Sequence, residues 1–224
     1  MTEYSTKDLI LDAAVVHVPF DGWSETTFRA ATADSGVASA LAGALFPRGG
    51  VDLALAYHAR GDGQMVARLA AMDLTTMRFR DRIATAVRSR LELADKELVR
   101  RGTTLFSLPQ HAADGAKAIW GTTDKIWTAL GDTSTDINWY TKRATLTAVY
   151  GSTVLYWLGD GSLDNQATWA FLDRRIDQVM QIEKVKAAIR ENPLGKAIID
   201  GPLKILEKVR VPKLPDDLPG RNIF

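Results

Sequence analysis

The chain has 224 residues, 46% of them apolar and 25% charged, with a formal net charge of +1; that suffices for one or two domains with a sizeable core and gives no general pull toward nucleic acid. With no cysteine, disulfides, thiolate metal sites and cysteine nucleophiles are excluded. No apolar run approaches the roughly 18 residues that would suggest a membrane span, and the polar start from Met1 to Lys7, with Glu3, lacks the pattern of a secretory signal.

The elements read as helices throughout, because 3.6-residue stripes recur and alternating strand patterns are missing. Ser5 or Thr6 can cap a first helix carrying Leu9, Ile10, Ala13, Val16 and His17, ended by Pro19 and Gly22. Ser24 caps a second, with Phe28 facing inward, and Gly36 turns the chain into a third, from Ala38 to Phe46. Two short helices joined by a glycine turn have the pattern of a helix-turn-helix. From Val51 to Leu74, Leu55, Met65, Val66, Leu69 and Met72 repeat at helical spacing, and Gly61-Asp62-Gly63 predicts a bend. Asp81 to Ala94 places Ile83, Val87 and Leu91 on one stripe with arginines opposite, and Glu97 to Leu108 stops at Pro109. Ala112 to Leu130 carries an apolar seam of Ala116, Trp120, Thr123, Trp127 and Leu130.

The next stretch, Asp132 to Arg143, joins capping residues, two aromatics and a basic pair at one helix start. Thr133 with Asp136 resembles a capping box. Up to Leu158, one arc holds Ile137, Tyr140, Ala144, Ala148, Gly151 and Leu155, and the opposite arc holds Trp139, Arg143, Leu146, Tyr150 and Trp157. A helix apolar on both sides is central to a core or uses one side outside it. Asp164 to Arg190 forms another long helix, bearing Trp169, Leu172, Ile176, Val179, Met180 and Ala187.

Beyond Asn192-Pro193 the character changes. Leu194, Ile198, Ile205 and Val209 share an arc flanked by Lys196, Lys204 and Lys208, which fits either the headgroup boundary of an anionic bilayer or a last helix packed on the bundle. Residues 174–213 hold ten Lys/Arg against five Asp/Glu, and the composition of Pro212 to Phe224 predicts disorder. The organisation expected is a helix-turn-helix-like head over 1–50, a helical bundle over 51–192, an amphipathic helix over 193–211 and a tail over 212–224.

DNA reading needs basic and base-pairing side chains on the second helix, yet Ser35 to Pro47 has none. Residues 1–60 carry seven acidic against four basic groups, so the head is expected to be structural. No Glu-x-x-His pair suits a di-iron site, and His17, His58 and His111 fall on separate segments without ligand spacing. Phosphate-binding glycine loops and nucleophile elbows are missing as well. No catalytic constellation, metal site or cofactor is expected. Trp139-Tyr140 remains open between core and an interface, where Trp, Tyr and Arg are enriched. Lys142 and Arg143 lie at the helix end whose dipole disfavours cations; acidic partners are expected, either Asp132 and Asp136 or groups on another protein.

The run from Gly131 to Arg143 closely resembles the signature of the coenzyme Q biosynthesis accessory family, the Coq-nine type. His17-Val18-Pro19 with Gly22-Trp23, Leu108-Pro109-Gln110-His111 and Thr168-Trp169-Ala170-Phe171-Leu172 agree with it, so the resemblance spans roughly residues 9–190. Gly36-Val37 and Phe46-Pro47 also resemble TetR-type regulators. The resemblance implies an all-α, TetR-like fold that does not bind DNA, forms homodimers, holds an isoprenoid or phospholipid between helices and touches membrane through a C-terminal amphipathic helix. It implies a non-catalytic role in ubiquinone biosynthesis, presenting a polyprenylated intermediate to the demethoxyubiquinone hydroxylase. By position, the hydroxylase-contact patch falls on Asp136, Trp139 and Tyr140, with Ile126 from the preceding helix. The implied location is peripheral on the cytoplasmic membrane, or on the matrix side of the mitochondrial inner membrane in a eukaryote. The alternative is a TetR-type regulator that responds to a lipid.

Overall fold

Short polar side chains open the first two helices by satisfying backbone N–H groups that have no partner within the helix. Ser5 and Asp8 form a reciprocal capping box at α1 (Thr6–Asp21), and Ser24 accepts from the Thr27 N–H at α2 (Glu25–Asp34). Pro19 lies inside the last turn of α1, so the helix ends later, at Gly22, and the Pro19 carbonyl accepts from Arg101 Nη2 at 2.6 Å. Gly36 takes φ +67°, a left-handed turn open to glycine, before α3 (Ser39–Leu45).

The computed structural model describes residues 5–191. Among them the chain continues through α4 (Gly50–Ala70), α5 (Phe79–Glu92), α6 (Lys96–Phe106), α7 (Ala112–Ala129), α8 (Ile137–Gly159), a 3-10 turn (Leu163–Asn165) and α9 (Gln166–Glu191). The described chain is all-α, without strands. The expected membrane segment, Leu194, Ile198, Ile205, Val209, Lys196, Lys204 and Lys208, lies outside the described residues, as does the tail.

Two apolar clusters hold the molecule together. The head cluster collects Ile10, Ala14, Val18, Trp23, Ala31, Ala42 and Phe46, and continues into α4 and α6 through Leu53 and Leu98. Trp23 fixes that junction, donating from Nε1 to the Leu98 carbonyl at 3.0 Å. The bundle cluster includes Met65, Val87, Leu91, Ile126, Leu146, Tyr150, Trp157, Leu172 and Ile176. Burying each large side chain contributes about 1.5–3 kcal/mol, so α8, which supplies five residues to this cluster, is its central strut.

Gly61-Asp62-Gly63 does not break α4, which runs uninterrupted. Its purpose is a close approach. A Cβ at Gly61 would stand 2.7 Å from Arg90 Nη1, so a side chain here would push the guanidinium off its place against this turn. Arg90 therefore departs from the solvent-facing arginines expected of α5: it is buried and donates from Nε to Asp62 Oδ1 at 2.8 Å. Losing one member of such a pair strands a buried charge and costs about 3–5 kcal/mol. On α7 the expected seam is also displaced. Thr123 and Trp127 are buried, but Ala116 is exposed, and Gly115, Thr122 and Ile126 complete the inner face.

Candidate functional site: the start of α8 and the adjoining cavities

The distinctive stretch is built around one carboxylate. α7 ends at Gly131, whose φ of +81° turns the chain back so that Asp132 N donates to the Trp127 carbonyl at 3.0 Å. The Asp132 side chain is only 2% exposed. Its Oδ1 accepts from Lys142 Nζ and the Ser134 hydroxyl, and its Oδ2 from Arg143 Nη1, at 2.7, 2.8 and 2.9 Å. Burial opposes the charged form, but hydrogen bonds from Lys142, Ser134 and Arg143 outweigh it and hold this carboxyl well below the usual range. Arg143, 3% exposed, also donates from Nε to Asp124 Oδ1 at 2.6 Å. The two cations expected to seek acidic partners thus find them inside the fold, in Asp132 and Asp124.

The α8 cap is Asp136, which accepts from the Asn138 N–H at 3.0 Å; Thr133 does not cap. Asp136 closes this helix better because its ionised carboxylate also complements the positive end of the helix dipole. Trp139 and Tyr140 follow in the first turn, both half-buried. The Arg143 guanidinium lies 4.0 Å from the centre of the Trp139 ring, Tyr140 meets Trp139 edge-on at 4.8 Å, and Trp120 of α7 stands 6.0 Å away. The result is a rigid aromatic ledge set on a buried ion-pair clamp. Ile126 does not belong to it: at 0% exposure it is a core residue that nothing outside the folded chain can touch.

The two arcs of α8 are also resolved. Arg143, Leu146, Val149, Tyr150, Thr153 and Trp157 point inward. Ala144, Ala148 and Leu155 point outward, Leu155 with 64% of its surface exposed, so this arc belongs to neither core nor cavity. Beside it Tyr156 stacks on Phe171 of α9, centroids 4.5 Å apart.

Two cavities adjoin the inner arc. The first, about 280 Å³, lies among α4 to α8, with walls that include Trp23, Leu98, Phe106, Ile119 and Val154 and a polar corner of His58, Arg90 and Tyr150. In that corner His58 Nε2 lies 2.7 Å from the Thr122 hydroxyl, which donates to Asp62 at 2.9 Å. Burial lowers the His58 pKa, partly opposed by Asp62, and burial pushes the Tyr150 phenol up. Sequence reasoning missed this network. Its signal was Arg90, seven residues after Ile83 and hence on the same buried stripe. The second cavity, about 230 Å³, lies among α5, α7, α8 and α9, lined by residues including Phe79, Arg80, Ile83, Trp127, Lys142, Val149, Ile176 and Met180. Among the described residues no cluster of three metal-ligating side chains occurs.

A small helical head keyed to a larger bundle with internal cavities is the architecture of TetR-like proteins. A TetR transcriptional regulator from Nitrosomonas europaea superposes with a TM-score of 0.63, covering 77% of this chain and 96% of its own, at 18% sequence identity; it shares the fold. The sequence profile of the COQ9 family matches residues 112–183, the segment that holds the clamp and the aromatic ledge. The ubiquinone biosynthesis protein COQ9-B, mitochondrial, of Xenopus laevis is 32% identical over 211 residues, covering 89% of this chain and 70% of that protein. Its Xenopus tropicalis counterpart is 31% identical, and there this chain spans 65% of the relative's length. The chain belongs to the COQ9 family.

Proposed function

We propose that this chain is a non-catalytic, lipid-carrying accessory protein of ubiquinone biosynthesis that presents polyprenylated quinone intermediates to the demethoxyubiquinone hydroxylase. The observation that carries this reading is the coincidence of the family match over 112–183 with a pre-organised aromatic ledge on α8. Trp139 and Tyr140 keep part of their surface outside while the Asp132 clamp fixes their backbone, and such rigid, half-exposed aromatics are what binding hot spots are made of. Asp136 places a carboxylate at the same edge.

Lipid carriage is supported by the cavities. Apolar walls take hydrocarbon out of water at a gain of about 25 cal/mol per Å², and a volume near 280 Å³ falls just short of the usual span of ligand pockets, about 300–1,000 Å³. In solution the chain is proposed to be a homodimer, with Ala144, Ala148 and Leu155 of α8 at its seam, and the segment 193–211 as its contact with membrane. No described helix is long and apolar enough to cross a bilayer.

The experiment is co-purification with the hydroxylase. Trp139→Ala with Tyr140→Ala is expected to weaken the complex by about tenfold or more. A wild-type complex would refute the docking role, and collapse of the thermal midpoint would reassign the pair to the core. The regulator alternative has the fold in its favour but lacks a basic reading helix; a tight, sequence-specific DNA shift would restore it.

A further inference from the structure

We propose that the outer face of α1 is covered, away from membrane, by the segment 193–211 of a second copy of this chain. The contact holds that segment back until a bilayer takes it, so it rests on the reading of 193–211 as the membrane contact.

α1 is a surface helix that is apolar on two sides. Ile10, Leu11, Ala14 and Val18 face the head core. Opposite them, Leu9, Ala13, Val16 and Phe20 recur at i, i+4, i+7 and i+11 and form one stripe. Val16 keeps 66% of its surface exposed and Phe20 82%. A phenylalanine this open, in line with two exposed aliphatics, marks an interaction surface.

The charges around the stripe select its cover. Asp8 and Asp12 line one side and share a single cation, Arg60. On the other side Asp34 meets His17 at 2.6 Å, and Asp21 is exposed at the end of the helix. Arg101, which reaches the Pro19 carbonyl, brings its own partner, Glu97 at 2.9 Å. Lys7 turns the other way, over the ring of the buried Phe46. The rim is therefore acidic. A second α1 would set acidic rim against acidic rim, and an anionic bilayer would repel it. A basic amphipathic segment matches both the stripe and its rim. Residues 193–211 carry Lys196, Lys204, Lys208 and Arg210 against Asp200 and Glu207, beside an apolar arc.

Helix lengths require the cover to come from another copy. α9 runs along α5, with Arg88 over the Trp169 ring and Asp177 paired to Arg80. α1 lies beyond the Arg88 end, where Val15 and Leu93 line one cavity. From Trp169 to Glu191 α9 is about 33 Å long and points away from the head. Folded straight back as one helix, residues 193–211 would return only about 28 Å. They stop short of α1 in their own chain. Two copies that exchange these segments close the contact reciprocally.

The test mixes unlabelled and heavy-nitrogen full-length chains and joins carboxylates to neighbouring amines with a zero-length carbodiimide. Cross-links from Lys204 or Lys208 to Asp12 or Asp21 are expected, many of them joining a light peptide to a heavy one. Vesicles of phosphatidylcholine and phosphatidylglycerol should erase them. Val16→Ser with Phe20→Ser alters only exposed side chains, so the thermal midpoint should hold. In that variant the links should disappear, and vesicle binding should tighten about threefold or more as the segment is set free. Links confined to single chains, links that survive the vesicles, or links unchanged in the variant would overturn the proposal. Weaker vesicle binding by the variant would overturn it too, by making the stripe itself a membrane contact. Lys204→Glu with Lys208→Glu separates the inference from the reading beneath it. If that pair loses vesicle binding but wild type forms no such links, this inference alone falls. If vesicle binding ignores the pair, the membrane reading falls, and this inference with it.

Discussion

Asp132 shows how much one residue organises here. It lies between Lys142 and Arg143 at the positive end of α8, where the helix dipole alone would repel both cations. Replacing it by Asn keeps the shape but removes the carboxylate that Lys142 and the buried Arg143 share, leaving Arg143 with Asp124 alone and Lys142 with solvent. The expected loss is about 3 kcal/mol, read as a lower urea midpoint. The pH dependence follows from the depressed carboxyl. A group whose pKa is lowered by folding contributes fully above its unfolded value, about 3.9 for Asp, and loses that contribution as pH falls below it. Wild type and Asp132→Asn should therefore differ by a constant amount from pH 5 to 8 and draw together progressively as pH falls from about 4 toward the depressed folded value. A gap that persists unchanged at pH 2.5 would mean that packing, not charge, carries the effect. Arg90 makes the same point from inside the bundle: Arg90→Met should cost about 3 kcal/mol, because the buried Asp62 loses its closest cation and keeps only Lys125 and the Thr122 hydroxyl, seen in the same unfolding measurement.

At the scale of elements, the starts of α1 and α2 were legible from their local caps, whereas at α8 the expected capping box on Thr133 gave way to Asp136. Ser5 and Ser24 open α1 and α2 as their chemistry requires, and the bounds of α6, α7 and α8 follow from Pro109, Gly131 and Gly159. Faces were harder to read. Both arcs of α8 are apolar, so periodicity could not say which one turns inward; that depends on what α5, α7 and α9 bring against it. Ile126, placed in the contact patch by the family resemblance rather than by spacing, lies in the core, and Arg90 read as a surface arginine because its partner lies 28 residues earlier. Of the candidate site, the aromatic pair and its basic neighbours were visible in sequence. The clamp was half visible, since Asp132 was a named partner for the cations and Asp124 was not. The outward arc yields its own prediction. If Ala144, Ala148 and Leu155 form the dimer seam, Ala148→Arg with Leu155→Glu should halve the mass seen by light scattering. The inner arc is untouched, so helicity should hold and the unfolding midpoint should lose its dependence on protein concentration. An unchanged dimer mass would place the seam elsewhere.

For the whole molecule, charge separates along the chain. Residues 1–60 carry a net −3, whereas residues 174–213 carry +5. Near an anionic bilayer these ends feel opposite forces, and each Lys or Arg at the surface contributes about 1 kcal/mol. If the proposed membrane segment 193–211 makes the contact, the chain should approach through it, with the acidic head held away. Binding to vesicles containing anionic lipid should weaken steeply with salt over a range in which the Debye length shortens from about 30 to about 8 Å. Deleting residues 193–224 should remove that binding while leaving the thermal transition of the bundle in place. Replacing Asp8, Asp12 and Asp34 by Asn in the head should change it little. Binding to neutral vesicles that ignores salt would mean that apolar insertion dominates, and binding that survives the deletion would move the membrane contact to the described surface, where Val16 and Phe20 of α1 are the exposed apolar residues to test first.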